Sequence, residues 1–180
     1  QARKDLASPT PTEALARLDQ AATIDDRYAQ LHFARARVLE KLGRFEEAKA
    51  AYLRARDEDV CPLRAPSPVL EVVRRSAAEH HVPLVDFEKF LEARADHGIP
   101  GGGWFLDHVH TGIEGYRLLA LEILRAMERE GLVKPNWDAS VIDAVTKEVS
   151  GKLEAKVHAF ALMNICKTLG WAGKREEAYR

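Results

Sequence analysis

Shifted by 34 residues along itself, the chain meets its own pattern: Glu13-Ala14 falls on Glu47-Ala48, Ala21 on Ala55 and Asp25 on Asp59. Self-similarity at this period marks a stacked pair of helices, because one such pair cannot bury its apolar face alone and needs a neighbour to close it. The better-preserved copy runs from Ala29 to about Pro62. Within it Ala36 takes the small position of the first helix, Gly43 closes that helix, Phe45 and Ala48 open the second, and Tyr52 and Ala55 complete the interior. Small side chains at these points let two antiparallel helices approach until a larger residue such as Leu39 or Tyr52 enters the gap.

In period and in interior sizes this stretch resembles the tetratricopeptide repeats. His32 and Arg35 stand where that family usually has an aromatic residue and a leucine, and the proline near the end of the repeat arrives late, as Pro62. Upstream, Thr10-Pro11-Thr12-Glu13 reads as an N-cap, a first-turn proline and a capping-box glutamate, opening a helix that forms the second half of a preceding repeat. A third, partial copy closes the chain: His158 to Gly173 forms a helix, and Lys174-Arg175-Glu176-Glu177-Ala178 parallels Arg44-Phe45-Glu46-Glu47-Ala48. Fewer than about three repeats need another surface, so these helices are expected to dock on the intervening segment or on residues outside the chain. The resemblance implies a protein or peptide partner. Arg35, Arg37, Lys41 and Arg44 either form a basic groove for acidic chain ends or simply face solvent.

Between the repeats the pattern changes. Ser67 and Pro68 are expected to cap and open a helix with Val69, Leu70, Val73 and Ala77 on one face, ending near His80-His81. Val82-Pro83-Leu84-Val85-Asp86 then reads as a short buried strand with an acid at its carboxyl end, followed by a short helix through Phe87, Phe90 and Leu91. Pro83 places that strand at an edge or makes it begin late. The loop Gly98-Ile99-Pro100-Gly101-Gly102-Gly103 lacks both the GxxxxGKS and the strand-borne GxGxxG pattern, so it is read as a mobile rim or surface connection and no cofactor is expected.

After it comes Asp107-His108-Val109-His110-Thr111-Gly112-Ile113-Glu114-Gly115-Tyr116. Thr111 and Glu114 have capping-box spacing, which predicts a helix starting directly after His110 and carrying Ile113, Tyr116, Ala120, Leu124 and Met127 on one face. An acid three residues before a histidine can curl back to hold one imidazole nitrogen while the other faces a substrate. Two other readings stay open: plain capping residues, or a metal held by Asp107, His108 and His110, for which no further ligand is assigned.

The Asp107–His110 spacing, with Gly115-Tyr116 following, resembles the last block of the SGNH (GDSL-type) hydrolases, and the resemblance spans about residues 68 to 130. It implies that Asp107 orients and His110 is the general base of a Ser-His-Asp triad in a serine esterase or acyltransferase. Thr111 stands where that family often has proline, and no Gly-Asp-Ser nucleophile block occurs in these residues. In those enzymes the nucleophile and oxyanion blocks precede the Asp-His block. The order helices, αβ unit, Asp-His block, helices resembles bacterial proteins in which tetratricopeptide helices are inserted in an SGNH-like domain and follow it.

Composition narrows the remaining classes. With 46% apolar and 31% charged residues and a net charge of −1, the chain has no field for nucleic acid. Glu122 and Arg125 interrupt its longest apolar run, far short of the roughly 18–20 residues of a spanning helix. Cys61 and Cys166 each sit among apolar neighbours and read as two buried thiols. The chain begins at Gln1 with no signal segment, so targeting information is expected to lie outside it, and the compartment stays open.

The expected architecture is therefore mainly α: tetratricopeptide-like helices over 1–62, the carboxyl-terminal part of an SGNH-like α/β domain with one or few short strands over 63–132, and a helical region over 133–180 ending in a partial repeat. Asp107 and His110 are the expected catalytic residues.

Overall fold

The computed structural model describes residues 9–101, 103–107, 109–134, 136–171 and 173. It is mainly helical, and the described residues form two compact units, Gln1–Gly101 and Gly102–Arg180.

In the first unit, α1 (Pro11–Ala22) starts on the expected capping box: Thr10 Oγ1 accepts from Glu13 N at 3.3 Å, and Glu13 Oε2 accepts from Thr10 N at 2.9 Å. The hairpin α2 (Ala29–Lys41) and α3 (Phe45–Asp57) carries the core, where Leu15, Ala36, Leu39, Ala48 and Ala51 are buried together. Ala55 is buried too, and Tyr52 packs edge-on against Phe33 and donates its hydroxyl to Glu40. Gly43, at φ +72°, ends α2: Arg44 N reaches back to Leu39 O and Gly43 N to Glu40 O, both at 2.9 Å. Only a residue at ease in left-handed backbone closes a helix this way without strain.

α4 (Ser67–Glu79) and α5 (Phe87–Glu92) follow. Ser67 is the first helical residue of α4 rather than its cap, because the first-turn N–H it exposes is taken from across the loop by Asp57 Oδ1 at 2.8 Å. Arg56, next to Asp57, binds Ser67 Oγ and Glu88, while Arg74 on α4 binds Asp86 at 2.7 and 3.1 Å and Glu88 at 2.7 Å. This charged lattice ties the end of α3 to α4 and α5. Leu70 and Ala77 are half-buried on α4, whereas Val69 and Val73 are exposed. Residues 82–86 form no regular element, where a buried strand was expected: among the described residues no partner strand lies alongside, and Val82 and Leu84 face solvent. Asp86 is instead the N-cap of α5, accepting from Lys89 N.

α4 ends in the same backbone motif as α2, but with His81 at φ +52°: Val82 N bonds Ala77 O and His81 N bonds Ala78 O. A side chain in left-handed backbone is strained where glycine is not. His81→Gly is therefore expected to stabilise the first unit by roughly 1 kcal/mol after the added freedom of the unfolded chain is subtracted. A higher urea midpoint checks this; an unchanged or lower one refutes it.

The second unit opens with a short hairpin and then runs through α6 (Ile113–Arg129), α7 (Ala139–Gly151) and α8 (Ala155–Trp171). Gly131, at φ +69°, closes α6 as Gly43 closes α2. Of the face of α6 expected to be internal, Ile113, Tyr116, Ala120 and Met127 are exposed and Leu124 is half-buried, while the buried residues of the helix are Gly115 and Ala126. α7 and α8 bury none of their side chains, leaving Val141, Val145, Val149, Val157 and Phe160 uncovered. Both cysteines are exposed, contrary to expectation: apolar neighbours in sequence did not bring apolar neighbours in space. The partial repeat expected over Lys174–Ala178 lies outside the described residues.

Candidate functional site

Asp107 and His110 meet. Phe105 and Thr111 pair as an antiparallel bridge, with Leu106 N donating to His110 O at 2.8 Å and Gly112 N to Trp104 O at 3.1 Å, so residues 106–110 form a closed loop. Inside it the Asp107 carboxylate accepts three bonds. Oδ1 takes Val109 N and His110 N, both at 2.7 Å, and Oδ2 lies 2.8 Å from His110 Nδ1. A carboxylate can only accept, so Nδ1 carries the proton and Nε2 is left with its lone pair. The side chains differ sharply in setting: Asp107 is 17% exposed and His110 63%. The acid is sheltered while the base reaches solvent.

Burial alone would push the Asp107 carboxyl upward, but the backbone N–H of His110, the His110 ring and the backbone N–H of Val109 together bring it down to about 2. A carboxyl lowered in the folded state stabilises the fold above its ordinary pKa near 3.9, and that contribution disappears as pH falls through the folded value. Between about pH 4 and pH 2 the loop is thus expected to lose on the order of 2 kcal/mol. Hydrogen-exchange protection of the Val109 and His110 amides should collapse in that window, and protection retained at pH 2 would contradict the geometry.

The expected Thr111–Glu114 capping box does not form. Gly112 is the N-cap of α6 without a side-chain bond, Glu114 pairs with Arg117, and Thr111 is drawn into the bridge with Phe105. Its hydroxyl is buried without a partner among the described residues. His110 is held by this bridge rather than by a cap. The bridge went unread in the sequence, although Phe105 and Thr111, both strand formers flanking the loop, are its signal.

His108, needed for the metal reading, lies outside the described residues, and among those described no group of three or more metal-ligating side chains gathers. His80 and His81 sit exposed at the end of α4. Of the expected basic groove, Arg35 pairs with Asp19 at 2.8 Å and Arg44 with Glu47 at 2.6 Å. His32 is buried and donates from Nε2 to Asp26 O at 2.6 Å. An open hollow of about 340 Å³ lies between α2 and α3, lined by His32, Arg35, Glu47, Ala50, Ala51 and Arg54. No described helix is long and apolar enough to cross a membrane.

Comparison with protein-family models, with curated proteins and with solved structures found no match for this chain.

Proposed function

We propose that this chain supplies the acid–base half of a serine hydrolase or acyltransferase of SGNH type, with Asp107 orienting His110 and His110 acting as general base through Nε2. The carrying observation is the 2.8 Å contact between Asp107 Oδ2 and His110 Nδ1 in a loop that shelters the acid and exposes the imidazole. When the base takes a proton from an attacking hydroxyl it becomes imidazolium, and the adjacent ionised carboxylate stabilises that charge. Acyl transfer also needs a nucleophile and oxyanion donors. In this reading they come from outside these residues, so the isolated chain is inactive. The uncovered stripe of α6 and the solvent-facing Val82 and Leu84 support the same reading, since a helix and an extended segment of an α/β layer bury these faces only when a sheet is present. The test is ester hydrolysis by the full-length protein with and without His110→Ala.

One observation favours a second, compatible reading, a tetratricopeptide-like module that holds a peptide: the hollow between α2 and α3. A partner whose capture depends on Arg35 or His32, together with no hydrolysis by the full-length protein, would select it over the first.

A further inference from the structure

We propose that Thr111 and Gly115 are positioning residues for His110: the buried Thr111 side chain, seated against the bare Cα of Gly115, sets the place at which the imidazole meets Asp107. What the imidazole then does rests on the hydrolase reading, whereas the placement is independent of it.

Thr111 adjoins His110 and is 8% exposed. In a helix each Cα–Cβ bond leans toward the amino terminus, over the preceding turn. At Gly115 that direction is already occupied: a Cβ built there would lie 2.5 Å from Thr111 Cβ, 2.9 Å from its Oγ1 and 3.2 Å from its Cγ2. Real Cβ atoms do not approach so closely, so glycine at 115 is what lets Thr111 stand where it does. From the other side, Phe105 pairs with Thr111 and Leu106 N bonds the His110 carbonyl. The backbone of His110 is therefore pinned between a wedge and a bridge. The Thr111 hydroxyl is buried without a partner among the described residues, which is a cost and not a hold. The shape of a β-branched side chain, stiff about its first torsion, does the positioning.

The experiment is ring-nitrogen NMR of His110 in the full chain. In the parent the Nδ1-protonated tautomer dominates and its proton exchanges slowly. Thr111→Val keeps the shape and removes the orphan hydroxyl, so it should leave both signatures intact and the chain no less stable. Gly115→Ala should lower the tautomer ratio severalfold and abolish the slow proton. Adding Thr111→Gly, which removes the atom at 2.5 Å, should restore the signals in part. Parent-like His110 signals in Gly115→Ala overturn the proposal, as does their loss in Thr111→Val. Should Gly115→Ala fail to fold, Thr111→Ser decides, because it keeps the hydroxyl and drops Cγ2: weakened signals support the wedge and parent-like signals overturn it. None of these readouts involves hydrolysis, so a full-length protein without esterase activity would remove the proposed reaction and leave this result standing.

Discussion

On the proposed hydrolase reading, His110→Ala is expected to lower ester hydrolysis by the full-length protein on the order of 10⁴-fold or more, since without a base the nucleophile attacks as a neutral hydroxyl. Asp107→Asn gives a loss on the order of 10⁴-fold by another route. Asparagine still offers Val109 N and His110 N an acceptor through its carbonyl oxygen. The group then facing Nδ1 is an amide NH₂, which favours the tautomer with the proton on Nε2, where a base needs a lone pair. The imidazole stays in place and is protonated on the wrong nitrogen. The double substitution should therefore cost little more than His110→Ala alone, because the two side chains act as one unit. His110 is 63% exposed, and Asp107 keeps its bonds from Val109 N and His110 N in His110→Ala, so the melting transition should fall only slightly with the loss of the ring contact. Undiminished turnover in either single variant would sink the catalytic assignment and leave the Asp-His loop as architecture alone.

Leu39→Ala is expected to destabilise the first unit by about 3 kcal/mol, within the range of about 2–5 for large-to-small changes in a core. Leu39 is fully buried, the largest side chain here to be so, and is clustered with Leu15, Ala36, Ala48 and Ala51. Three of its buried neighbours are alanines, which have no side chain to swing into the hole, and the larger Val38, Leu42, Tyr52 and Ile99 pack against the cluster only partly buried. The cavity therefore persists and its whole cost is felt. Urea unfolding followed by circular dichroism measures the loss. Phe160→Ala on α8, where the ring is 60% exposed, is the control and should change stability by about 0.5 kcal/mol or less. A loss below about 1 kcal/mol for Leu39→Ala would mean that the α2–α3 hairpin does not carry the core.

Much of the helical framework was legible from local patterns. The Thr10–Glu13 box forms, Gly43 closes α2 in left-handed backbone, and Ala36, Ala48 and Ala55 are buried as the repeat spacing requires. Each depends on residues a few positions apart. The same rules misplaced elements where a distant group competed. Ser67 lost its capping role to Asp57, and Thr111 lost its own to the bridge with Phe105. Residues 82–86 have strand composition, yet the described residues contain no strand to pair with, so they form no strand and Val82 and Leu84 stay exposed. The face of α6 predicted from its period is mostly uncovered, with only Leu124 on it half-buried, because periodicity names a stripe and does not say what covers it.

At the candidate site the division is similar. The spacing of Asp107 and His110 suggested the pair, and their contact at 2.8 Å is present. The hold on that pair by Phe105, Thr111 and Gly115 was not legible, since it arises from a backbone pairing and a 2.5 Å exclusion that no residue pattern encodes.

By itself, then, the sequence determined that the chain is mainly helical, where helices α1 to α3 begin and where α2 ends, which small residues line their core, and which acid and imidazole lie within reach. Those properties are set by capping, turn chemistry and periodicity, whose range is a turn or two of backbone. Only the tertiary structure decided that Asp107 is sheltered while His110 is exposed, that Thr111 braces rather than caps, and that Ile113, Tyr116 and Met127 of α6, the valines of α7 and Phe160 of α8 are left exposed. Burial, ionisation and close contact depend on what occupies the surrounding space, and that is fixed by packing and not by order along the chain.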